Sequence, residues 1–477
     1  MSKYITIHIE DFVQIRKADI ELAPLTLFVG DNNSGKSYLA SLIWGILNYN
    51  FFQFFDKNII NDKNISPFQK LYCWFHKSFK HNSDSPIHWK ITKEFHQSII
   101  TLINKILDNR KKEFIRDILC SDSDIDIGHI TFDFPFDDEL SFTIERDHLR
   151  NSNNRYEQHI LFYITRNGKC ISRTLVLGIN NDTVEEIPLW FLCEAYSSAY
   201  IKNRVSFIND INDDVSFFPA SRTGFLLTYR SLIDESLEQR FNLRGQGDKN
   251  YHLTSPQVSF IRSIANLKEH FRKIKKSDDI NSIIDFIENK MIHGKISLSD
   301  TPLPDILYCP KNGVTIPMYL SSGVVTEISP LLACLKYRRI GNYCIIEEPE
   351  MSLHPELQWK MAQVLIRLAN TSRFILTSTH SDIIIQHVNN MIKLSSQKNG
   401  EELAEDHGYD KSDIISPDCV RMYQFDVNLK DHSTNVTALK YNRNGFIVPT
   451  FGKTLRQLRN EVYDFQHEID DTETKEE

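Results

Sequence analysis

The amino-acid sequence predicts an α/β protein with a largely parallel sheet and a large inserted region. The first observation is a short apolar run, Leu25 to Val29, which reads as a buried strand. It leads through a glycine-rich turn into a helix predicted from Ser37 to about Leu47. The second observation is a renewed alternation of strand-like and helix-like segments from about 305 to 380. Such alternation is typical of a parallel sheet with helices on its faces.

The region between these segments has a different pattern. From about 51 to 120 it is helical, with a three-four apolar stripe formed by Phe95, Ile99, Leu102, Ile103, Ile106 and Leu107. From about 125 to 180 apolar residues alternate, which predicts hairpins across Asp137-Asp138 and Asn167-Gly168. The first hairpin would set one apolar strand face against another, pairing Ile130, Phe132 and Phe134 with Leu140, Phe142 and Ile144.

These patterns divide the chain into parts. Residues 1–50 are predicted to begin the main domain, 51–205 to form a helical and β insert, and 206–465 to complete the main domain. The last of these includes a helical arm from 255 to 291 that begins at Ser255-Pro256. Residues 466–477 are rich in Asp and Glu and are predicted to be a disordered acidic tail.

The composition excludes several classes of protein. With 41% hydrophobic and 25% charged residues, the 477-residue chain has ample material for a core. Its eight cysteines form no C-x-x-C pair, which argues against a disulfide framework or a zinc site and predicts a reducing, cytoplasmic location. No apolar run approaches the ~20 residues of a membrane span, so no membrane partner is expected. The net charge of −8 gives no general case for DNA binding, although local basic runs such as Arg110-Lys111-Lys112 leave it open beside the interpretation as solvated helix faces.

One segment carries a complete phosphate-binding pattern. Gly30-Asp31-Asn32-Asn33-Ser34-Gly35-Lys36-Ser37 fits G-x-x-x-x-G-K-[ST] and lies between the predicted strand and helix. In this motif Gly30 and Gly35 let the backbone N–H groups of the loop, those of Asn32, Asn33 and Ser34 among them, turn toward phosphates. Lys36 offers a positive charge to the β- and γ-phosphates, and Ser37 offers its hydroxyl to Mg²⁺. ATP and Mg²⁺ are the predicted cofactors.

A pair of carboxylates follows a second apolar run. Tyr343 to Ile346 leads into Glu347 and Glu348, and ligands of open α/β sheets bind at the carboxyl ends of the strands. Both acids are therefore predicted to face the phosphate loop. We assign Glu347 to the metal and Glu348 to the attacking water, which it would orient or deprotonate.

A serine-glycine helix start lies shortly before these acids. Leu320-Ser321-Ser322-Gly323-Val324 opens an apolar helix and resembles the signature motif of ABC, SMC and related DNA-repair ATPases. This resemblance implies an ABC/SMC-type P-loop ATPase head, in which Ser321, Ser322 and Gly323 dock onto the γ-phosphate held by the other subunit. The match departs from the usual L-S-G-G-Q, since Ser322 and Val324 replace glycine and glutamine.

Two further segments match the order of motifs in that family. Ser352-Leu353-His354-Pro355 follows the glutamates at the position of the D-loop, which contacts the partner head. The run Arg373 to His380 reads as a strand that ends in a histidine. It resembles the strand before the switch histidine, so His380 is predicted to sense the γ-phosphate and to act with Glu348 in catalysis.

The run from Glu347 to Gln358 and the phosphate loop also resemble the OLD-family and related ATPases of bacterial anti-phage defence. The resemblance covers about 1–50 and 210–465, and glutamate at 347, where many relatives carry aspartate, implies slow turnover. The segment Phe218-Pro219-Ala220-Ser221-Arg222-Thr223 resembles another recurrent element of these proteins. Arg222 is either a contact to a phosphate or the partner subunit, or a structural residue.

The resemblance implies a regulatory role. OLD and Gabija ATPases carry a fused TOPRIM nuclease after the switch histidine, whereas no nuclease constellation is visible after His380. The chain is thus similar to the stand-alone ATPase subunits of the PARIS and Septu systems. It is expected to form a homo-oligomer (a head-to-head dimer or a multiple of it) and to control a separately encoded nuclease, with a phage trigger protein or DNA as further partners. The alternative is a DNA-repair or chromosome-maintenance ATPase, like RecF or SMC heads, that clamps DNA directly. A transporter ATPase fits the motifs least.

Overall fold

The computed structural model describes residues 3–48, 87–121, 125, 127–150, 156–166, 169–176, 196, 215–241, 253–268, 277–301, 303–337, 340–449 and 456–465. The strands in this part of the chain are β1 (Thr6–Phe12), β2 (Ile15–Glu21), β3 (Leu25–Gly30), β4 (Ile87–Lys90), β5 (Ile127–Asp133), β6 (Leu140–Arg150), β7 (Tyr156–Arg166), β8 (Lys169–Val176), β9 (Val215–Phe218), β10 (Gly294–Leu298), β11 (Ile306–Pro310), β12 (Ile316–Pro317), β13 (Tyr343–Glu347), β14 (Phe374–Ser378), β15 (Val420–Val427) and β16 (Thr434–Ala438). The α-helices are α1 (Lys36–Asn48), α2 (Lys93–Leu119), α3 (Arg222–Phe241), α4 (Ser255–Ala265), α5 (Asp278–Phe286), α6 (Gly323–Tyr337), α7 (Pro355–Asn370), α8 (Asp382–Ser395) and α9 (Gly400–Asp406), and residues 456–465 are also helical.

A nine-stranded sheet organises the fold, in the order β5-β1-β2-β16-β15-β3-β14-β13-β9. Strands β15, β3, β14, β13 and β9 run parallel to one another, whereas β5, β1 and β2 form an antiparallel extension. Strand β16 joins the two parts and is antiparallel to β15 and parallel to β2. The predicted α/β class with a largely parallel central sheet is therefore confirmed. Because the connections cross over, the carboxyl ends of β3, β13 and β14 meet at one edge of the sheet.

The central strand β3 separates two hydrophobic cores. All of its residues are buried, as expected for a strand covered on both faces. Successive side chains point to opposite faces, so Phe28 packs in the core that contains α1 and α2, whereas Leu27 and Val29 pack in the core that contains α4 to α8. The alternation places the phosphate loop, which follows directly, between two well-packed layers.

The first predicted hairpin of the insert is wrong. Strand β5 does not turn back onto β6; it pairs antiparallel with β1 at the edge of the large sheet, where Phe132 faces Ile7. Strand β6 pairs instead with β4 and β7 in a separate four-stranded sheet. The alternation of apolar residues predicts which side chains of a strand are buried, but not which neighbouring strand it pairs with. Strand β5 pairs with the open edge of β1 instead of with β6. Strands β7 and β8 are antiparallel neighbours, so the second hairpin is confirmed in its strands; Asn167-Gly168 itself lies outside the described residues.

The helical arm differs in detail from the prediction. It consists of α4 and, after the undescribed residues 269–276, of α5 with a π-helical turn at Ile287–Met291. Helix α4 begins at Ser255 as predicted, its N-cap is Thr254, and the Thr254 backbone N–H donates to Gln257 Oε1 at 3.0 Å.

Other predicted segments are only partly described. The acidic tail from 466 to 477 and the helical pattern over 51–86 lie outside the described residues. Among the helices that the structure describes, none combines the length and the apolar character needed to cross a membrane.

Gly30 offers a test of the packing between β3 and β15. Its φ is +125°, and a Cβ there would lie 2.2 Å from the carbonyl oxygen of Phe425. We expect Gly30→Ala to lower the free energy of unfolding by at least ~1–3 kcal/mol, because the residue would be both strained and overlapped. Urea denaturation would measure this loss. As the matched control, Gly224→Ala in α3 meets nothing within 4 Å and should raise stability by about 0.5–1 kcal/mol. Equal effects of the two substitutions on stability would contradict the close packing of Gly30 against β15.

Candidate functional site

The phosphate loop connects the end of β3 to the start of α1, as predicted. It needs unusual backbone angles, with φ of +125° at Gly30, +53° at Asn33 and +88° at Gly35. A side chain at Gly35 would come within 3.1 Å of Ile15, so β2 closes the loop from behind. Asn32, Asn33 and Ser37 are exposed at this edge of the sheet, whereas Ser34 is buried.

Lys36 lies under the loop rather than on its surface, with a relative exposure of 6%. Its Nζ donates to the backbone oxygen of Asp31 at 2.5 Å, to Ser34 Oγ at 3.1 Å and to the backbone oxygen of Gly30 at 3.3 Å. Burial lowers the pKa of the Lys36 ammonium to about 8, although the carboxylates of Glu348, Asp31 and Glu350 favour its charged form. The Lys36 ammonium is thus held inside the phosphate loop by hydrogen bonds to the loop's own oxygens.

The first predicted acid, Glu347, ends β13 and is buried. Its Oε2 accepts a hydrogen bond from the Ala220 backbone N–H at 3.2 Å, while its buried Oε1 has no regular hydrogen-bond partner in the described part of the chain. Burial raises the pKa of the Glu347 carboxyl, and hydrogen bonding to the Ser37 side chain and to Ala220 acts in the opposite direction. The two residues predicted to hold the metal, Ser37 and Glu347, therefore lie side by side.

The second acid, Glu348, leaves the strand with a left-handed φ of +43°. Its backbone N–H donates to the Ser378 backbone oxygen at 2.9 Å, which ties it to the end of β14. There its Oε1 lies 3.9 Å from Nε2 of His380. The structure thus brings together the two residues that the sequence predicted as catalytic.

His380 is held by a third acid, Glu350, for which the sequence predicted no role. The Glu350 carboxylate accepts a hydrogen bond from the His380 backbone N–H, and its buried Oε2 has no regular hydrogen-bond partner among the described residues. Burial raises the pKa of Glu350. Burial, and after it the charge of Lys36, lowers the pKa of His380, so its neutral form predominates at pH 7. The only sequence signal for Glu350 was its spacing in Glu347-Glu348-Pro349-Glu350.

The predicted signature segment opens α6 at Gly323. Its apolar positions point inward as predicted, and all of them are buried: Val325, Ile328, Leu331, Leu332 and Leu335. Ser322 and Gly323 are exposed and Ser321 is half-buried, with the Ser321 backbone N–H donating to Met318. Among the described residues, no hydrogen bond or ion pair joins these three to the phosphate loop of the same chain.

Arg222 takes the structural of its two predicted roles. It is 3% exposed, so the guanidinium reaches neither solvent nor a surface. Its Nη1 donates to the backbone oxygen of Glu347 at 2.6 Å, and its Nη2 donates to that of Glu348 at 3.0 Å. Nη2 also forms an ion pair with Glu327 of α6. The sequence could not assign these contacts, because their partners are backbone atoms and a residue far along the chain.

Comparison with known families agrees with this geometry. The AAA_15 family, described as an AAA ATPase domain, matches residues 3–385. The chain belongs to this family. The match spans the phosphate loop, the signature segment, the paired glutamates and His380. Together with the sheet order it confirms the predicted fold class, an ABC/SMC-type P-loop ATPase head.

Solved structures with detectable similarity to this AAA ATPase include three SMC heads. One is an Smc head bound to the C-terminal winged-helix domain of ScpA, at 12% identity and a TM-score of 0.37, covering 92% of this chain and 98% of that one. The SMC head from Thermotoga maritima has 9% identity and a TM-score of 0.33, covering 92% and 100%. An Smc head from Pyrococcus furiosus, bound to the C-terminal domain of ScpA, has 11% identity and a TM-score of 0.34. The match covers 96% of this chain and 99% of that one. A search of curated proteins finds no significant match.

The buried ammonium predicts a pH dependence of nucleotide binding. A triphosphate needs charged Lys36, whose pKa in the free protein is about 8, so binding above that pH requires proton uptake. We expect the dissociation constant of ATP to rise with pH above about 8, with a limiting slope of about ten-fold per pH unit. Calorimetry below and above about pH 8, in buffers of different ionisation enthalpy, would measure how many protons are taken up when ATP binds. In Lys36→Arg the guanidinium stays protonated, so the slope should disappear. A pH-independent wild type would contradict the expectation.

Proposed function

We propose that this AAA ATPase binds Mg²⁺–ATP on its phosphate loop, hydrolyses it slowly and uses the nucleotide state to control a partner protein. One observation carries the proposal: Lys36, the Ser37–Glu347 pair and the Glu348–His380 pair converge at the carboxyl ends of β3, β13 and β14. A phosphate cradle, a metal-type oxygen pair and a carboxylate beside a histidine are the parts that phosphoryl transfer to water requires.

The residues divide the work of hydrolysis between them. Lys36 and the loop N–H groups would hold the β- and γ-phosphates, and the start of α1 adds its dipole. Glu348 would orient a water and accept its proton as the water oxygen bonds to the γ-phosphorus. The bond from that phosphorus to the bridging oxygen breaks, and ADP and phosphate leave. Neutral His380, beside both Glu348 and Lys36, would hydrogen-bond to the γ-phosphate and report its presence.

The chemistry of the donor set fits a magnesium ion. Mg²⁺ prefers hard oxygen ligands such as carboxylates and hydroxyls, and Glu347 has one buried oxygen without a regular hydrogen-bond partner in the described residues, beside the Ser37 hydroxyl. When bound there, the ion would neutralise charge on the phosphates during transfer. Glutamate at this position reaches further than aspartate would. We therefore expect slow turnover.

The exposed start of α6 supports a head-to-head arrangement of two copies. Ser322 and Gly323 present a hydroxyl and free helix N–H groups at the surface, a suitable cap for a γ-phosphate held by a second copy. Ser352 of the D-loop region lies against this helix start: a Cβ at Gly323 would be 3.8 Å from that of Ser352. Nucleotide held between the two copies would bind the closed dimer more tightly than the open one, and would therefore favour the closed dimer.

The partner that we propose is a separately encoded nuclease of an anti-phage system, released or activated by a phage trigger. This part of the proposal is supported by the resemblance of the run Glu347 to Gln358 to the defence ATPases. A second metal-dependent nuclease site would need several such ligands of its own, and the described residues contain no group of three or more His, Cys, Asp or Glu placed to hold a metal ion. The net charge of −8 does not favour the alternative function, in which the protein clamps DNA directly.

Glu348→Gln tests the catalytic assignment. We expect kcat for ATP hydrolysis to fall by about 10²–10⁴-fold, because the amide cannot take a proton from water. The affinity for ATP should be unchanged, since no phosphate contact is lost. Phosphate release and fluorescent-nucleotide titration measure the two quantities. Glu405→Gln, an equal change at an exposed position of α9, should leave both unchanged. Full activity of the Glu348 variant would exclude this carboxylate as the base.

The same variant tests the regulatory role. A tagged Glu348→Gln chain, held in its ATP-bound form, should capture more of an ATP-dependent partner from its native cells than wild type does. Mass spectrometry of the eluate identifies the partner, and Lys36→Met, which should not hold ATP, is the control. A nuclease enriched only with Glu348→Gln supports the proposal. Recovery of DNA alone, lost as salt rises, would replace it with the DNA-clamp function.

A further inference from the structure

The guanidinium of Arg222 forms hydrogen bonds to the backbone at the end of β13. Arg222 donates to the backbone oxygens of both Glu347 and Glu348, at 2.6 Å and 3.0 Å. It also donates to the backbone oxygen of Pro219 at 3.1 Å. These bonds determine where the peptide units of the two glutamates lie, and hence the direction in which their carboxylates leave the strand.

The same guanidinium is joined to the signature helix. It forms a buried ion pair with Glu327 in the second turn of α6, and its Nε donates to the Glu327 backbone oxygen at 3.3 Å. The side chains of Arg222 and Glu327 are only 3% and 2% exposed. Thr223 Oγ1 donates a hydrogen bond to the other carboxylate oxygen of Glu327. One compact cluster thus connects the helix that begins at Gly323 to the two proposed catalytic acids.

Stability alone is a poor reason for such a cluster. Removing two opposite charges from water costs about as much as their attraction returns, and apolar residues of the same size often stabilise a core more. An arginine does provide a rigid, planar set of donors that can fix several acceptors at once. Here the acceptors belong to the end of β13 and to α6, so one side chain joins the two elements.

We propose that Arg222 and Glu327 are positioning residues that couple the start of α6 to the carboxylates of Glu347 and Glu348. A displacement of α6, such as docking of its exposed start onto a second copy's nucleotide, moves Glu327 and with it Arg222. The guanidinium then moves the peptide units of both acids. The inference rests on the proposed function, since it assigns those acids their roles, and it adds a route by which one nucleotide site senses the other.

The test compares the full-length chain with Arg222→Lys and Glu327→Gln. Lysine keeps the charge but loses the fork of donors, whereas glutamine keeps the shape but loses the charge. We expect each to weaken Mn²⁺ binding in the presence of ATP, followed by electron paramagnetic resonance, and to lower kcat, in both cases by about 10–100-fold for Arg222→Lys. ATP affinity in EDTA should stay at the wild-type value, because neither residue touches the phosphate loop. The double variant should be no worse than Arg222→Lys alone.

Arg367→Lys is the matched control. Arg367 forms a similarly buried pair with Asp413, with side chains 8% and 1% exposed, and its hydrogen bonds among the described residues go to Asp410 and Asp413 rather than to a proposed catalytic residue. It should lose stability but keep wild-type Mn²⁺ affinity and kcat. Glu327→Gln carries the test if Arg222→Lys does not fold.

Three results would overturn the coupling. One is an equal loss of kcat in the Arg222 and Arg367 variants, which would indicate a general effect of instability. Another is a loss of ATP affinity in EDTA in parallel with the loss of Mn²⁺ affinity. The third is a folded Glu327→Gln chain with wild-type values throughout. A wild-type chain that binds no ATP would remove the proposed function as well, whereas normal wild-type hydrolysis with unaffected variants would remove the coupling alone.

Discussion

The burial of charge at the carboxyl end of one sheet is the constraint on which the rest of this structure depends. Lys36, Arg222, Glu327 and Glu347 are all between 3% and 7% exposed. Leaving any one of them unpaired would cost about 3–5 kcal/mol, so each must find partners in the folded chain. The strands and helices that supply those partners are consequently joined to one another through the buried charges.

The strain at the site follows from the same arrangement. Glu348 and Ser352 have φ of +43° and +56°, in the left-handed region that residues with a side chain usually avoid. Each such position costs of the order of 1–3 kcal/mol. They flank the segment between β13 and α7, where the backbone must turn sharply to aim Glu348 at His380. Two hydrogen bonds at the end of β14 offset this cost: the Ser378 backbone oxygen accepts from the Glu348 backbone N–H, and the Glu350 carboxylate accepts from the His380 backbone N–H.

The sequence predicted what depends on local pattern. The strand before the phosphate loop, α1, the acids at the end of β13 and the apolar face of α6 all follow from short-range periodicity and motif spacing. It could not predict that β5 pairs with β1, because alternation carries no information about the neighbouring edge. Nor could it assign Arg222 or Glu350. Their partners are mostly backbone groups, which leave no trace in the residue types around them, and Glu327 is distant in the chain.

The order of strands in the large sheet has a consequence for synthesis of the chain. Strands β15 and β16 come late in the sequence, yet they lie between β2 and β3, and the Val427 backbone N–H donates to the Asp31 carboxylate at 3.2 Å. The nascent N-terminal third therefore leaves the ribosome with both of these strand edges open. Contacts of such large sequence separation form slowly, and exposed edges invite pairing with other chains. The phosphate loop can reach its final shape only after β15 has been made and has paired with β3, so nucleotide binding must follow that pairing.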